Sequence, residues 1–140
     1  MQMSSFRSPG KIHFGEGATQ RVGQEAARCG ATKVLCVTDP MLKETGVIAP
    51  VLDALHQEGL APEVFDGVDT EPCVEHVQEG VRLLQEKGCD ALVACGGGSP
   101  IDAAKAIAIQ ATNSADLAAC MGIDKIPSPG LPVLAVPTTA

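Results

Sequence analysis

The sequence predicts an α/β fold, with a mostly parallel sheet and helices on both of its faces. Short segments that are apolar throughout alternate with segments whose apolar residues recur at helical spacing. Gly30, Gly59 and Gly88 are 29 residues apart, and each stands after a helical pattern and before a strand-like run. Glycine favours the position just past a helix end, so this period fits one helix and one strand per unit. A solenoid also repeats at such spacing, but the segments share no consensus beyond the glycine.

Four helices are predicted, three from their apolar periodicity and one from its start signals. The inward residues are Ala18, Val22 and Ala26 over 18–29, Val47, Val51, Leu52 and Leu55 over 47–58, and Val74, Val77, Val81 and Leu84 over 73–87. The fourth helix is predicted over 99–110. Ser99 suits its N-cap, Pro100 its first helical position, and Asp102 the acidic position of a capping box.

Four strands are predicted over residues 33–38, 62–65, 91–95 and 132–136. The runs KVLCVT and ALVAC are apolar at almost every position, as a parallel sheet covered on both faces requires. Before the first helix, residues 6–16 contain Pro9 and Gly10 between two short segments, which predicts a short N-terminal β-hairpin.

Composition narrows the classes of partner. A chain of 140 residues predicts one domain over residues 1–140, and its 45% hydrophobic content is that of a globular protein. The net charge is −7, which argues against nucleic acid and against an anionic membrane surface. Three Phe and no Trp or Tyr leave few platforms on which bases could stack. The expected partners are therefore small molecules.

The cysteine and histidine pattern does not indicate a metal site. Six cysteines form no CxxC pair, and His13, His56 and His76 are far apart in the sequence. We interpret the cysteines as reduced thiols. No signal peptide or membrane-length apolar run is visible, so a cytoplasmic location is predicted.

A glycine-rich segment follows the ALVAC strand and precedes a helix. Gly96, Gly97 and Gly98 would let the backbone come close to a ligand, and free N–H groups at the helix start can bind a pyrophosphate. Capping alone explains Ser99 and Asp102, but a turn needs only one glycine. The segment therefore predicts phosphate binding, although it matches neither GxGxxG nor the P-loop pattern.

Two further strand ends carry polar residues. Asp39 ends the first strand, where a carboxylate could accept from ribose hydroxyls and repel a 2′-phosphate. A turn aspartate before Pro40 is an equal alternative. Thr138 and Thr139 follow the last strand, where their hydroxyls could contact a nucleotide or form only a polar strand end. His76 lies three residues after Cys73, for which an exposed helix face is favoured over a metal site.

These motifs together resemble the iron-containing (group III) alcohol dehydrogenases, relatives of glycerol dehydrogenase and dehydroquinate synthase. The resemblance runs over essentially the whole chain, and the order of GGGSPIDAAK and PTT is highly specific. The matching segments are IHFG at 12–15, VTD at 37–39, DGV at 66–68, GGGSPIDAAK at 96–105 and the stretch 131–139.

The resemblance implies a Rossmann-like domain that binds NAD(H). The GGGS segment, Gly96 to Ser99, would bind the pyrophosphate, Asp102 would lie near the nicotinamide, and Thr138 and Thr139 would contact the nucleotide. An aspartate at the position of Asp39 is associated with NAD rather than NADP. Cys73 departs from the threonine that is common after the proline, so the loop on the adenine side is expected to differ slightly.

The resemblance also implies a metal-dependent enzyme that interconverts an alcohol with an aldehyde or ketone. The intact enzyme is expected to be a homo-oligomer, namely a dimer. The family continues past PTTA into an all-helical domain, whose Asp and three His bind iron(II) or another divalent metal. Because the sequence stops at Ala140, we expect that domain to be absent, as in a fragment, a truncated gene product or a proteolysed species. No catalytic or metal-binding residue is assigned here, and the 140 residues alone are expected to be inactive.

Three alternatives remain at this point. The chain could belong to a relative of glycerol dehydrogenase or of dehydroquinate synthase, which the metal-ligand region would distinguish. It could also be a stand-alone, non-catalytic nucleotide-binding module.

Overall fold

A computed structural model describes residues 3–4, 10–122 and 124–139 of the chain. In these residues one parallel sheet has the strand order β2-β1-β3-β4. The strands are β1 (Lys33–Val37), β2 (Ala61–Phe65), β3 (Ala91–Gly96) and β4 (Val133–Pro137). The predicted α/β fold is confirmed, and each predicted strand is present with its ends shifted by at most one residue.

The four predicted helices are present and one short helix is added, but Val47 and Val74, which were predicted to face inward, are exposed. They are α1 (Val22–Arg28), which a 3₁₀ turn (Ala18–Arg21) precedes, α2 (Pro40–Glu44), α3 (Ala49–Gln57), α4 (Val74–Lys87) and α5 (Gly98–Thr112). A second 3₁₀ turn spans Leu117–Cys120. The five residues of α2 were not predicted, because so short a helix has no readable periodicity. Within the described ranges, no helix combines the length and the apolar character that crossing a membrane would require.

Helices cover the sheet on both faces, as predicted. On one face, Val34 and Cys36 pack in a cluster with Val51 and Leu55 of α3. On the other face, the alternate residues of β1 pack in a second cluster with residues of α4 and α5 such as Val77 and Ile107. All six positions of β3 are buried. The apolar runs of the sequence are therefore explained by burial on two sides.

The predicted N-terminal hairpin is only partly covered by the structure. Residues 5–9 lie outside the described residues, and residues 11–14, which are described, belong to no strand. Two of their side chains bind α1 instead. Lys11 Nζ and His13 Nε2 lie 2.9 and 3.1 Å from the two carboxylate oxygens of Glu25. The hydrogen bond from Lys11, together with that from His13, lowers the pKa of Glu25 to about 2.

Asp90 joins the starts of β1 and β3 at the amino edge of the sheet. Its carboxylate accepts from the N–H of Thr32 at 3.0 Å, from the Thr32 hydroxyl at 2.6 Å and from the N–H of Lys33 at 3.1 Å. Burial alone would raise the pKa of Asp90, but the hydrogen bonds from Thr32 and Lys33 outweigh it and hold that pKa below its ordinary value. The ionised carboxylate therefore stabilises the strand pairing.

We predict that Asp90→Ala lowers the free energy of unfolding by about 1–2 kcal/mol at pH 7, because three donors lose a charged acceptor. A lowered pKa in the folded state stabilises the protein above the unfolded value of about 3.9, and this contribution disappears as pH falls below it. Urea unfolding followed by circular dichroism at pH 7 and pH 3 measures both effects. The exposed carboxylate of Asp53 on α3 provides the control, Asp53→Ala. An equal loss in both variants, or a loss in Asp90→Ala that does not shrink at pH 3, would contradict the prediction.

Candidate functional site

The connections of the sheet create a crevice at the carboxyl edge, between β1 and β3. These neighbouring strands pair in parallel through residues such as Val37 and Ala94. The chain leaves β1 toward α2 and α3 on one face, and it leaves β3 toward α5 on the other. The two connections therefore diverge from the carboxyl ends of neighbouring strands. Open α/β sheets bind their ligands at such a switch point.

Most of the predicted site residues lie around this crevice. The N–H of Thr138, past the end of β4, donates to the carbonyl of Gly96 at 2.9 Å. A Cβ built on Gly97 would lie 3.5 Å from the hydroxyl oxygen of Thr139. A Cβ on Gly96 would lie 3.3 Å from a side-chain carbon of Leu42, whose N–H binds the Asp39 carboxylate, so Asp39 lies near the end of β3. The structure thus brings the ends of β1, β3 and β4 together.

Helix α5 begins earlier than predicted, and the predicted capping is wrong. Gly97, not Ser99, is the N-cap, and no side chain caps the helix. The N–H of Ile101 donates to the carbonyl of Gly97 at 3.4 Å, and this bond places Gly98 and Ser99 in the first turn. Asp102 lies one turn further along, exposed, with Oδ1 3.4 Å from Lys105 Nζ. The first-turn N–H groups of Gly98 and Ser99 therefore have no intrahelical acceptor.

The three glycines have different physical roles. Gly96 has φ +152°, and a Cβ there would lie 2.7 Å from Cγ of Pro100, so the fold itself requires glycine. Gly97 has φ −81°, and its Cβ would make only ordinary contacts at 3.5 Å. A Cβ on Gly98 would meet nothing within 4 Å. Because the fold does not require glycine at 97 or 98, the bare backbone there favours the approach of a ligand.

Asp39 has the structural role of a turn aspartate, and its position also leaves it able to bind a ribose. It is the N-cap of α2, and its Oδ1 accepts from the N–H of Leu42 at 2.8 Å. Oδ2 takes no part in this cap, and the residue is half-buried at the crevice. One carboxylate oxygen is therefore positioned by the helix start, which orients the other.

Sequence reasoning missed two features of this edge. The side chain of Thr38, directly before Asp39, is fully buried, and among the described residues its hydroxyl has no hydrogen-bond partner. Lys43 of α2 pairs with Asp66, the residue after β2, at 2.8 Å. Nothing in the sequence marks Thr38 as more than a strand residue, and the residues of the ion pair are 23 positions apart. Only the packing of the strand ends reveals them.

The histidines do not converge. His13 binds Glu25, and His56 lies on α3. His76 is half-buried rather than on an exposed helix face: its Nδ1 accepts from the N–H of Cys73 at 3.3 Å, and its Nε2 lies 3.5 Å from Asp69. In the part of the chain that the structure describes, no three His, Cys, Asp or Glu side chains are grouped to hold a metal ion. These residues do not fit a catalytic metal.

The chain is similar in sequence and in fold to known proteins. The chain is 43% identical over 129 residues to a lactaldehyde reductase of Escherichia coli (strain K12), which covers 91% of this chain and 34% of that protein. It is 37% identical over 138 residues to an NAD-dependent methanol dehydrogenase of Bacillus methanolicus, covering 99% of this chain and 36% of the relative. A crystal structure of a 1,3-propanediol oxidoreductase superposes with a TM-score of 0.95 and 36% identity, over 99% of this chain and 36% of that one.

The chain thus spans about a third of the length of these relatives. The family model described as iron-containing alcohol dehydrogenase matches residues 9–140. On this match, and on the fold that it shares with solved members, the chain belongs to the iron-containing alcohol dehydrogenase family.

Proposed function

We propose that residues 1–140 form the dinucleotide-binding domain of an enzyme that transfers hydride between NAD(H) and an alcohol/aldehyde or ketone pair. The observation that carries the proposal is the start of α5, which no side chain caps. Gly97 and Gly98 expose the backbone there, although the fold does not require glycine at either position. Family membership supports the reaction class, and one relative is itself named as NAD-dependent.

The pyrophosphate binds at the first turn of α5. The N–H groups of Gly98 and Ser99 donate to its oxygens, and the missing side chains at 97 and 98 let these oxygens approach. The helix dipole adds about 0.3–1 kcal/mol, so the direct hydrogen bonds carry most of the attraction. Thr138 and Thr139 border the same loop from β4 and orient the nucleotide.

Asp39 and Asp102 bind the two ends of the cofactor. Asp39 accepts from the hydroxyls of the adenine ribose with the oxygen that the α2 cap does not use. Asp102, exposed one turn into α5, lies toward the nicotinamide. These residues orient the dinucleotide along the crevice, and none of them reacts.

The bound cofactor supplies the chemistry of the reaction, since its nicotinamide accepts or donates the hydride. The chain's own residues bind the cofactor and position its reactive ring at the open edge of the sheet. Because the described residues offer no ligand set for a metal, we assign to this chain the cofactor part of the reaction alone.

We predict that Gly98→Val lowers NADH affinity at least about tenfold, because a branched side chain occupies the path of the pyrophosphate. The affinity is measured by fluorescence titration, and circular dichroism confirms that the variant is folded. Gly10→Val is the control, since Gly10 also has open space around it and precedes Lys11, which binds Glu25 of α1. A folded Gly98→Val variant with wild-type affinity would show that the pyrophosphate does not approach the backbone at this position.

Asp39 is expected to make the protein prefer NADH to NADPH by several-fold to about a hundredfold, through repulsion of the 2′-phosphate. Asp39→Gly should reduce this preference, and so should Asp39→Asn, which keeps an oxygen to cap α2. Calorimetric titration with both cofactors measures the effect. Equal affinities in the wild type, or an unchanged preference in both variants, would remove Asp39 from the site.

The 140-residue chain should not oxidise alcohols with NAD, even with added Fe²⁺ or Zn²⁺, because no described residues are grouped to polarise the substrate oxygen through a metal. The assay follows NADH absorbance with short-chain alcohols and diols, on protein whose mass confirms that it ends at Ala140. Metal-dependent turnover would contradict the proposal, and His13, His56 and His76 would be the first residues to replace.

A further inference from the structure

An ion pair lies beside the proposed ribose site. Lys43 Nζ of α2 is 2.8 Å from Oδ2 of Asp66, and both side chains are about half exposed. Lys43 is one helical turn past Asp39, and its N–H donates to the Asp39 carbonyl at 3.3 Å. Lys43 therefore lies in the helix turn that directly follows Asp39.

The strand pairing brings the two carboxylates to the same edge of the sheet. Val37 of β1 lies opposite Phe65 of β2, and the N–H of Thr38 donates to the Phe65 carbonyl at 2.9 Å. Asp66 follows Phe65 directly, and Asp39 follows Thr38. Lys43 thus belongs to a small group with one cation and two carboxylates.

This arrangement has a consequence for cofactor selectivity. A site for a 2′-phosphate needs a cation at the position where an NAD site has its carboxylate. Lys43 would be such a cation if its ammonium were free to turn toward the ribose. Its charge is instead matched by Asp66, and the hydrogen bond from Lys43 lowers the pKa of Asp66, so the pair is ionised at neutral pH.

We propose that Asp66 is a second determinant of cofactor selectivity, which keeps Lys43 from binding the 2′-phosphate of NADPH. This inference rests on the proposed function, since it concerns the same dinucleotide site. Asp39 excludes the phosphate by repulsion, while Asp66 withholds the cation that would attract it. Removal of the Asp39 charge alone should therefore weaken the preference for NADH over NADPH without abolishing it.

A variant series separates these two effects. In an Asp39→Asn background, adding Asp66→Asn should raise NADPH affinity about fivefold, the gain that one exposed charge pair supplies. NADH affinity should change less than about twofold, since NADH has no 2′-phosphate. Further replacement by Lys43→Gln should abolish the gain. Asp66→Ser is a second way to release Lys43, should Asp66→Asn disturb the fold.

Glu63→Gln is the matched control, added to the same Asp39→Asn background. Glu63 of β2 pairs with Lys33 at 3.4 Å, so this change also removes one carboxylate from an ion pair, but at the start of β1 rather than at the carboxyl ends of the strands. Glu63→Gln should raise NADPH affinity only by the small, non-specific amount that the loss of any one negative charge gives for an anionic ligand.

The outcomes distinguish the inference from the proposed function. If the wild type binds neither NADH nor NADPH, the proposed function fails and the inference fails with it. If NADH binds but Asp66→Asn and Asp66→Ser behave like Glu63→Gln, or if the gain survives Lys43→Gln, the inference is overturned and the proposed function stands.

Discussion

The parallel pairing of β1 with β3 is the constraint on which the rest of this structure depends. Both strands lie between two helical layers, so nearly every side chain they carry must be apolar. Their pairing also places two diverging connections side by side, which opens the crevice at their carboxyl ends. The same hydrogen-bonded ladder thus explains the core and the location of the candidate site. Asp90 joins the opposite ends of these strands through Thr32 and Lys33.

The glycines show how fold and ligand impose separate demands on adjacent residues. Gly96 turns the chain out of β3 in a conformation that few other residues adopt, directly against Pro100. Gly97 and Gly98 carry no such demand, since each has an ordinary conformation and room for a methyl group. A helix start without a capping side chain leaves donors unsatisfied, which costs stability unless water or a ligand accepts from them. Water or an anionic ligand can accept from these donors, as the proposed pyrophosphate would.

Electrostatics at the crevice depend on short, local contacts more than on the net charge of −7. Exposed charges are screened within about 8–10 Å, so the proposed dinucleotide would interact chiefly with the charges of Asp39 and its neighbours. Asp39 is oriented by the N–H of Leu42, while Lys43 is bound to Asp66. A cation and an anion that neutralise each other leave Asp39 as the charge that a ribose hydroxyl or a phosphate would meet.

The sequence by itself determined the elements that depend on local pattern: the apolar strands, the longer amphipathic helices and the glycine-rich segment after β3. These elements can be predicted because burial on two faces and helical periodicity each produce a recognisable pattern in consecutive residues. Tertiary structure decided the features for which the local sequence pattern allows more than one arrangement. The local pattern favours Ser99 as the N-cap of α5, but the hydrogen bond from the N–H of Ile101 to the carbonyl of Gly97 makes Gly97 the N-cap. Residues 11–14 form no strand, and Lys11 and His13 among them bind Glu25. The pairing of Lys43 with Asp66 spans 23 residues, so it exists only because parallel pairing brings the ends of β1 and β2 together.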